Sequence, residues 1–229
     1  MVDTFQSKII EKKWLTKDVL LLSITVPEYF DFKAGQYVMF KMTVDGMTKL
    51  KPYSILSPPS QKGQLDFCIK IIDGGHASES FKVLNIADEL TVKGPFGHFV
   101  MQTDSPCDEY WFIGTGTGIV PLYSIILEHL PKFSNKTFRL IFGVRKKEGL
   151  FLHDELKNLE QRYPNFIFVP TLSQDTWELG IGRVQAQLTG DLQNKEFYIC
   201  GLKEMVIETE AFLREKGVPT HHIHFERYS

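Results

Sequence analysis

The sequence predicts a two-domain chain, an antiparallel β-barrel followed by an α/β domain built on a doubly wound parallel sheet. Two observations predict it. The apolar pattern changes from short, alternating runs to strand–helix alternation after Thr103-Asp104-Ser105-Pro106, and the apolar run Tyr110–Ile113 empties into Gly114-Thr115-Gly116-Thr117-Gly118 and a helix start. The domains are therefore drawn at residues 1–103 and 104–229. A chain of 229 residues, 43% hydrophobic and 24% charged, has ordinary globular composition and length enough for two cores.

In the first domain the expected strands are Ser7–Ile10, Val19–Val26, Gln36–Thr43, Lys51–Leu56, Leu65–Ile72 and Glu89–Val92. The turn formers Pro27, Gly35, Gly46, Pro58-Pro59 and Gly63 separate them, a spacing that suits a small antiparallel barrel. A short helix, Ser78–Asn85, follows Gly74-Gly75, with Ser78 as its expected N-cap. In the second domain strands are expected at Tyr110–Ile113, Thr137–Gly143, Phe166–Val169, Glu196–Cys200 and His222–Phe225. Helices are expected at Ile119–His129, Leu152–Arg162, near Arg183–Leu188 and at Lys203–Lys216. Such alternation gives a parallel sheet with helices on both faces, whose ligands gather outside the strand carboxyl ends. Both Gly114–Gly118 and Cys200-Gly201 fall there.

Bulk properties exclude several partners. A net charge of −2 gives no reason to expect nucleic acid or an anionic membrane. No apolar run approaches the roughly 20 residues of a membrane helix, and the polar N-terminus has no signal-peptide core, so a cytoplasmic location is expected. Cys68, Cys107 and Cys200 are too far apart for C-x-x-C or iron–sulfur spacing. Alternation puts His222 and His224 on one strand face and His221 on the other, with no third ligand nearby in sequence. They read as solvated histidines at a strand entry, and no metal is expected.

The glycine run is the most informative segment. Glycines let backbone N–H groups approach a phosphate, and the following helix adds its unpaired N–H groups and the positive end of its dipole. A G-x-G-x-x-G fingerprint needs a third glycine where Ile119 stands, and an acid at the end of the next strand, where the chain has Val144-Arg145. A Walker lysine is also missing. The run reads as a phosphate-binding turn of another kind.

Lys51-Pro52-Tyr53-Ser54, Gly75-His76-Ala77-Ser78, Gly114–Gly118, Cys200-Gly201-Leu202-Lys203 and Phe225-Glu226-Arg227-Tyr228 occur in that order. Together they resemble the ferredoxin-NADP reductase superfamily over nearly the whole chain. The resemblance implies FAD, with FMN as the alternative, on the barrel and NAD(P)H on the α/β domain. It implies that Tyr53 packs against the isoalloxazine, that Ser54 places a hydroxyl near N5, and that the backbone of Cys68-Ile69-Lys70 lines the ring. Lys51 replaces the family's arginine, keeping the charge but losing the bidentate fork. Gly75, His76, Ala77 and Ser78 would meet the flavin pyrophosphate.

On the nucleotide side the resemblance assigns Gly116, Thr117 and Gly118 to the pyrophosphate, and Cys200, Gly201 and Leu202 to the nicotinamide. Glu226 and Tyr228 match the family's C-terminal Glu-x-aromatic, in which the ring covers the flavin. Ser54, Cys200, Glu226 and Tyr228 are the expected catalytic group. Val144, Arg145, Ser173, Gln174 and Arg183 would contact the rest of the nucleotide. NADPH-using relatives often carry Ser-Arg where this chain has Ser173-Gln174-Asp175, so NADH is favoured by like-charge repulsion of a 2′-phosphate. The implied function is hydride transfer between NAD(P)H and FAD, with electrons passing to a ferredoxin, flavodoxin or oxygenase. The docking surface would include Lys33, Lys49 and Lys51, and a monomer is expected. The alternatives are a reductase of free flavin and a non-catalytic flavin- or nucleotide-binding subunit.

Overall fold

The structure is a computed structural model that describes residues 2–44, 47–175 and 180–228. The turn expected at Gly46 lies outside the described residues. The chain divides into two compact units, Met1–Met101 with Tyr123–Glu128, and Gln102–Leu122 with His129–Ser229.

The first unit carries β1 (Asp3–Trp14), β2 (Val19–Thr25), β3 (Tyr37–Val44), β4 (Met47–Ser54), β5 (Gln64–Lys70), α1 (His76–Val83) and β6 (Glu89–Phe96). Among the described residues these strands form one antiparallel sheet in the order β4-β3-β6-β1-β2-β5. β1 is much longer than its apolar run suggests. Its first half pairs with β6 and its second half with β2, with a register shift between Ile9 and Glu11. Only Phe5, Ser7 and Ile9 point inward, so the lysines beyond them hid the strand from the hydrophobic pattern.

The sheet curls around a core of Phe40, Phe67, Phe81, Val38, Ile69 and Val92, all essentially inaccessible. Its two edge strands, β4 and β5, approach each other without laddering. The barrel is therefore open along one seam, bridged beyond its end where the Leu56 N–H donates to Asp66 O at 2.7 Å.

The second unit carries β7 (Glu109–Thr115), the two ends of α2 (Ile119–His129, whose Tyr123–Glu128 stretch is counted with the first unit), β8 (Thr137–Val144), α3 (His153–Arg162), β9 (Phe166–Leu172), β10 (Lys195–Leu202), α4 (Lys203–Glu215) and β11 (Ile223–Tyr228). The strands are parallel throughout, in the order β11-β10-β7-β8-β9. β9 runs through Pro170, where the sequence suggested a stop. It is the edge strand, so a missing N–H on its outer side breaks no ladder bond.

Alternation sorts the sheet's two faces. Trp111, Ile113, Ile141, Phe197 and Ile199 form one core with Val206 and Leu213 of α4. On the other face Tyr110, Phe138, Phe112 and Tyr198 form a file of near-parallel rings, with centroids 5.4–5.7 Å apart between successive neighbours. Every strand carboxyl end lies at one edge of this sheet, and every amino end at the other.

Candidate active site

In the first unit the predicted flavin residues lie on the two edge strands and at the start of α1. Lys51 and Tyr53 share one face of β4, Pro52 and Ser54 the other. Tyr53 is half-buried, its ring 5.5 Å from Phe40 and 5.2 Å edge-on from Phe81 of α1. Burial pushes its hydroxyl up to about 12, so it stays protonated at any working pH. On β5, Phe67 and Ile69 turn into the core while Cys68 turns to the other face. Lys70 is exposed and ion-paired with Asp18.

α1 corrects the expected cap. The helix begins at His76, its N-cap is Gly75, and no side chain caps it. Ser78 sits inside the first turn, accepting from the Ile72 N–H at 3.0 Å and donating to Gly75 O at 3.0 Å. Its hydroxyl closes the loop that precedes the helix. The loop can fold back so tightly because Gly75 lacks a Cβ, which would meet Ile72 O at 2.9 Å. The helix start is left without a side-chain cap.

In the second unit the predicted nucleotide residues collect at the carboxyl edge of the sheet. Gly116, Thr117 and Gly118 form a 3-10 turn between β7 and α2. Gly116 takes φ +53° with open space beside it, and a Cβ on Gly118 would collide with the backbone carbonyl of Cys200. A Cβ on Gly201 would strike Thr115 Oγ1 and lie 2.6 Å from the Met205 methyl. The ends of β7 and β10 thus close on each other only because both positions are glycine.

Thr115 is the residue that sequence reasoning missed. Its Oγ1 is buried and finds no hydrogen-bond partner among the described residues. The only signal was its place between two glycines of the run, which does not distinguish it from Thr117.

Cys200 is fully buried and pairs in register with Glu226, as Leu202 does with Tyr228. Burial, reinforced by the Glu226 carboxylate, pushes the Cys200 thiol well up, although hydrogen bonds with Tyr228 and the Gly201 backbone oppose this. The thiol is neutral at physiological pH. Tyr228 lies within β11, half-buried.

Val144 ends β8 and Arg145 follows it, exposed. Ser173 and Gln174 are exposed past the end of β9, held there by N–H bonds to Val144 O at 3.0 Å and Arg145 O at 2.9 Å. Asp175 accepts from the Lys147 N–H at 3.3 Å. Arg183 is exposed and pairs with Glu208 at 2.8 Å.

The histidine reading needs correction. His221 and His222 belong to a 3-10 turn before β11, and only His224 lies on the strand. His224 Nε2 is 2.7 Å from Glu196 Oε2, so His222 and His224 stand half-buried beside a buried carboxylate, not in solvent.

A model described as an oxidoreductase FAD-binding domain matches residues 6–101, and one described as an oxidoreductase NAD-binding domain matches residues 112–210. The chain belongs to the ferredoxin-NADP reductase superfamily. It is 30% identical to ferredoxin–NADP reductase B of Sorangium cellulosum, over 99% of this chain and 98% of that one. It is 27% identical to the reductase component of a Pseudomonas phenol 2-monooxygenase, over 90% of this chain but 60% of that protein.

Among solved structures, the Neisseria gonorrhoeae ferredoxin NADP+ reductase with bound FAD and NADP superposes with a TM-score of 0.89 at 24% identity, covering 98% of each chain. An Amycolatopsis cytochrome P450 reductase gives 0.92 at 23% identity, over 99% of this chain and 70% of that one. The protein is accordingly an FAD-dependent oxidoreductase of NAD(P)H. Its residues fit both groups: an uncapped helix start follows a glycine-tightened loop in the first unit, and a glycine-only closure beside an orphaned threonine hydroxyl faces the nucleotide edge in the second. Among the described residues, no helix is long and apolar enough to cross a membrane.

Proposed function

We propose that this chain is the reductase that draws electrons from NADH and delivers them to a ferredoxin, flavodoxin or oxygenase-type acceptor. The observation that carries the reading is the closure of β7 on β10 at Gly118 and Gly201, where any side chain collides with backbone or with Thr115. A turn stripped of side chains in this way exposes N–H groups to a pyrophosphate. Bound flavin supplies the conversion of a hydride donor into electrons released singly or in pairs.

The chain's own residues do the rest. Tyr53, braced by Phe40 and Phe81, gives the isoalloxazine a fixed wall, and Ser54 offers a hydroxyl that donates or accepts as the flavin's protonation requires. The strand backbone of Cys68–Lys70 forms the facing edge, and the α1 start takes the flavin pyrophosphate. Cys200 presents a small neutral thiol that leaves room for the nicotinamide ring. Glu226 places its carboxylate beside it, and Tyr228 supplies the aromatic cover.

NADH is the preferred donor. Arg183 is paired with Glu208, and the Asp175 carboxylate follows Gln174, where a 2′-phosphate would need a cation. The protein acts as a monomer, since one chain carries both half-sites.

The test is anaerobic titration of tag-free protein. Expected are a flavin spectrum retained through gel filtration, its bleaching by NADH, and kcat/KM higher for NADH than NADPH. A colourless protein that stays colourless with added FAD overturns the flavin site. Flavin that neither nucleotide reduces overturns the reductase.

A further inference from the structure

The amino edge of the parallel sheet, opposite the nucleotide edge, holds a second concentration of chemistry. Cys107 precedes β7, Glu196 is the second residue of β10 and His222 precedes β11; strand register sets Glu196 opposite His222, just before the Phe197–Ile223 pair. The three donor atoms lie within 4.8 Å of one another.

We propose that Cys107, Glu196 and His222 form a binding site for Zn2+. The imidazole of His222 stands between the other two, with Nδ1 3.8 Å from the Cys107 sulfur and Nε2 3.9 Å from Glu196 Oε1. The carboxylate separation is too long for a hydrogen bond. Two donors sharing one tetrahedral zinc stand ~3.2–3.8 Å apart, given bonds of about 2.0–2.3 Å, whereas these two separations start from different ring nitrogens. One zinc takes only one of those nitrogens, so the three donor atoms, within 4.8 Å of one another, draw together as the ion binds. Sulfur, imidazole and carboxylate together select zinc over the oxygen-seeking calcium and magnesium.

The surroundings are those of a built site. Cys107 is wholly buried, and Glu196 is 3% exposed. The Ser105 hydroxyl donates to Glu196 Oε1 at 2.6 Å, and His224 Nε2 holds Glu196 Oε2 at 2.7 Å. These outer contacts fix the carboxylate's direction, as second-shell partners of metal ligands do. The Cys107 backbone is pinned too, its N–H on Ser105 Oγ at 3.2 Å and its carbonyl accepting from Lys136 Nζ at 2.7 Å. His222 keeps a partly exposed side chain and provides the way in. Binding releases the Cys107 thiol proton to solvent and forms a Zn–S bond. The fourth position is left to water. The ion clamps the segment before β7 to the amino ends of β10 and β11.

Tag-free protein, equilibrated with Zn2+ and then dialysed against metal-free buffer, is expected to retain one zinc per chain by elemental analysis. C107S and H222N are expected to lose it, H221N to keep it, and H224N to bind about 10–100-fold more weakly. Should the cysteine variant not fold, Co2+ loaded into the wild type still reports a thiolate ligand through sulfur-to-cobalt absorption. Wild type without stoichiometric zinc and without that cobalt band overturns the site, as does equal retention by C107S and H222N.

Discussion

Two buried cysteines of the second unit mark opposite ends of the same sheet, and their surroundings differ in kind. Cys200, at the carboxyl edge, lies among glycines and backbone, where burial, with the Glu226 carboxylate beside it, keeps it a neutral thiol. Cys107, at the amino edge, lies among imidazole, carboxylate and a serine hydroxyl. A parallel sheet has two chemically distinct ends because all strands run the same way. The carboxyl edge is drawn tight by glycines at the ends of β7 and β10, while the amino edge is held by side chains that bind one another.

The sharpest way to break that contrast is to put a side chain where the carboxyl edge excludes one. In G118A the new methyl meets the Cys200 carbonyl carbon and lies 2.7 Å from Gly201 Cα, and neither can move without shifting β10. Overpacking of this sort costs ~1–3 kcal/mol. Reduction by NADH is expected to fall far more than thermal stability, with the flavin spectrum kept. G116A has space beside it and pays only for its φ of +53°, so it is expected to lose ~1 kcal/mol and retain measurable turnover. Equal activity losses in the two variants would show that the closure on β10 is not what the nucleotide needs.

The amino edge predicts the opposite pattern. Tyr198 accepts from the Gln102 N–H at 2.8 Å, and Tyr110 donates to Gln102 O at 3.1 Å, so this residue is tied down by two ring hydroxyls. Y198F orphans a backbone donor and is expected to cost ~1–3 kcal/mol in chemical unfolding with kcat unchanged. A fall in kcat that matched the stability loss would mean that the two ends are not independent.

How much of this was legible follows the same division. The carboxyl edge announced itself because its chemistry is local: glycines in one run, and a Cys-Gly pair at one strand end. The amino edge did not, because Cys107 and His222 are 115 residues apart and meet only through the register of β7, β10 and β11. A sequence search for a third ligand near His222 looks along the chain, whereas the partners lie across the sheet. Ser78 failed for a related reason. Its hydroxyl had several backbone groups within reach, and the loop at Ile72 won over the helix end. β1 was underestimated because half of it changes sheet partner and carries lysines outward.

A smaller effect tests the neutral state of Cys200 against its exposed counterpart in the unfolded chain. A thiol whose folded value is raised stabilises the fold fully below its ordinary value near 9, and the contribution is lost as pH climbs through the folded value. In the folded protein, alkylation of Cys200 by iodoacetamide is expected to stay slow through pH 9 and to become rapid only on unfolding. C200S is expected to flatten the loss of stability at alkaline pH. Rapid labelling of the native protein at pH 8 would contradict a buried neutral thiol.

The smallest effect lies at the rim of the carboxyl edge. Arg183 is held beside the end of β9, where Thr171 Oγ1 donates to Gly182 O at 2.8 Å, yet its guanidinium is occupied by Glu208. Both partners are largely exposed, so the pair contributes at most ~1 kcal/mol, and removing the acid releases about that much for another anion. In E208Q the ratio of kcat/KM for NADPH over NADH is expected to rise by no more than ~5-fold, through KM and not kcat. The rise should vanish at high ionic strength, because an exposed guanidinium meeting a 2′-phosphate is screened by salt. A ratio that does not move would place Arg183 outside the nucleotide's reach and leave Arg145 as the basic residue to examine. A change in kcat would instead tie Glu208 to the positioning of β10 and α4, which a rim charge does not control.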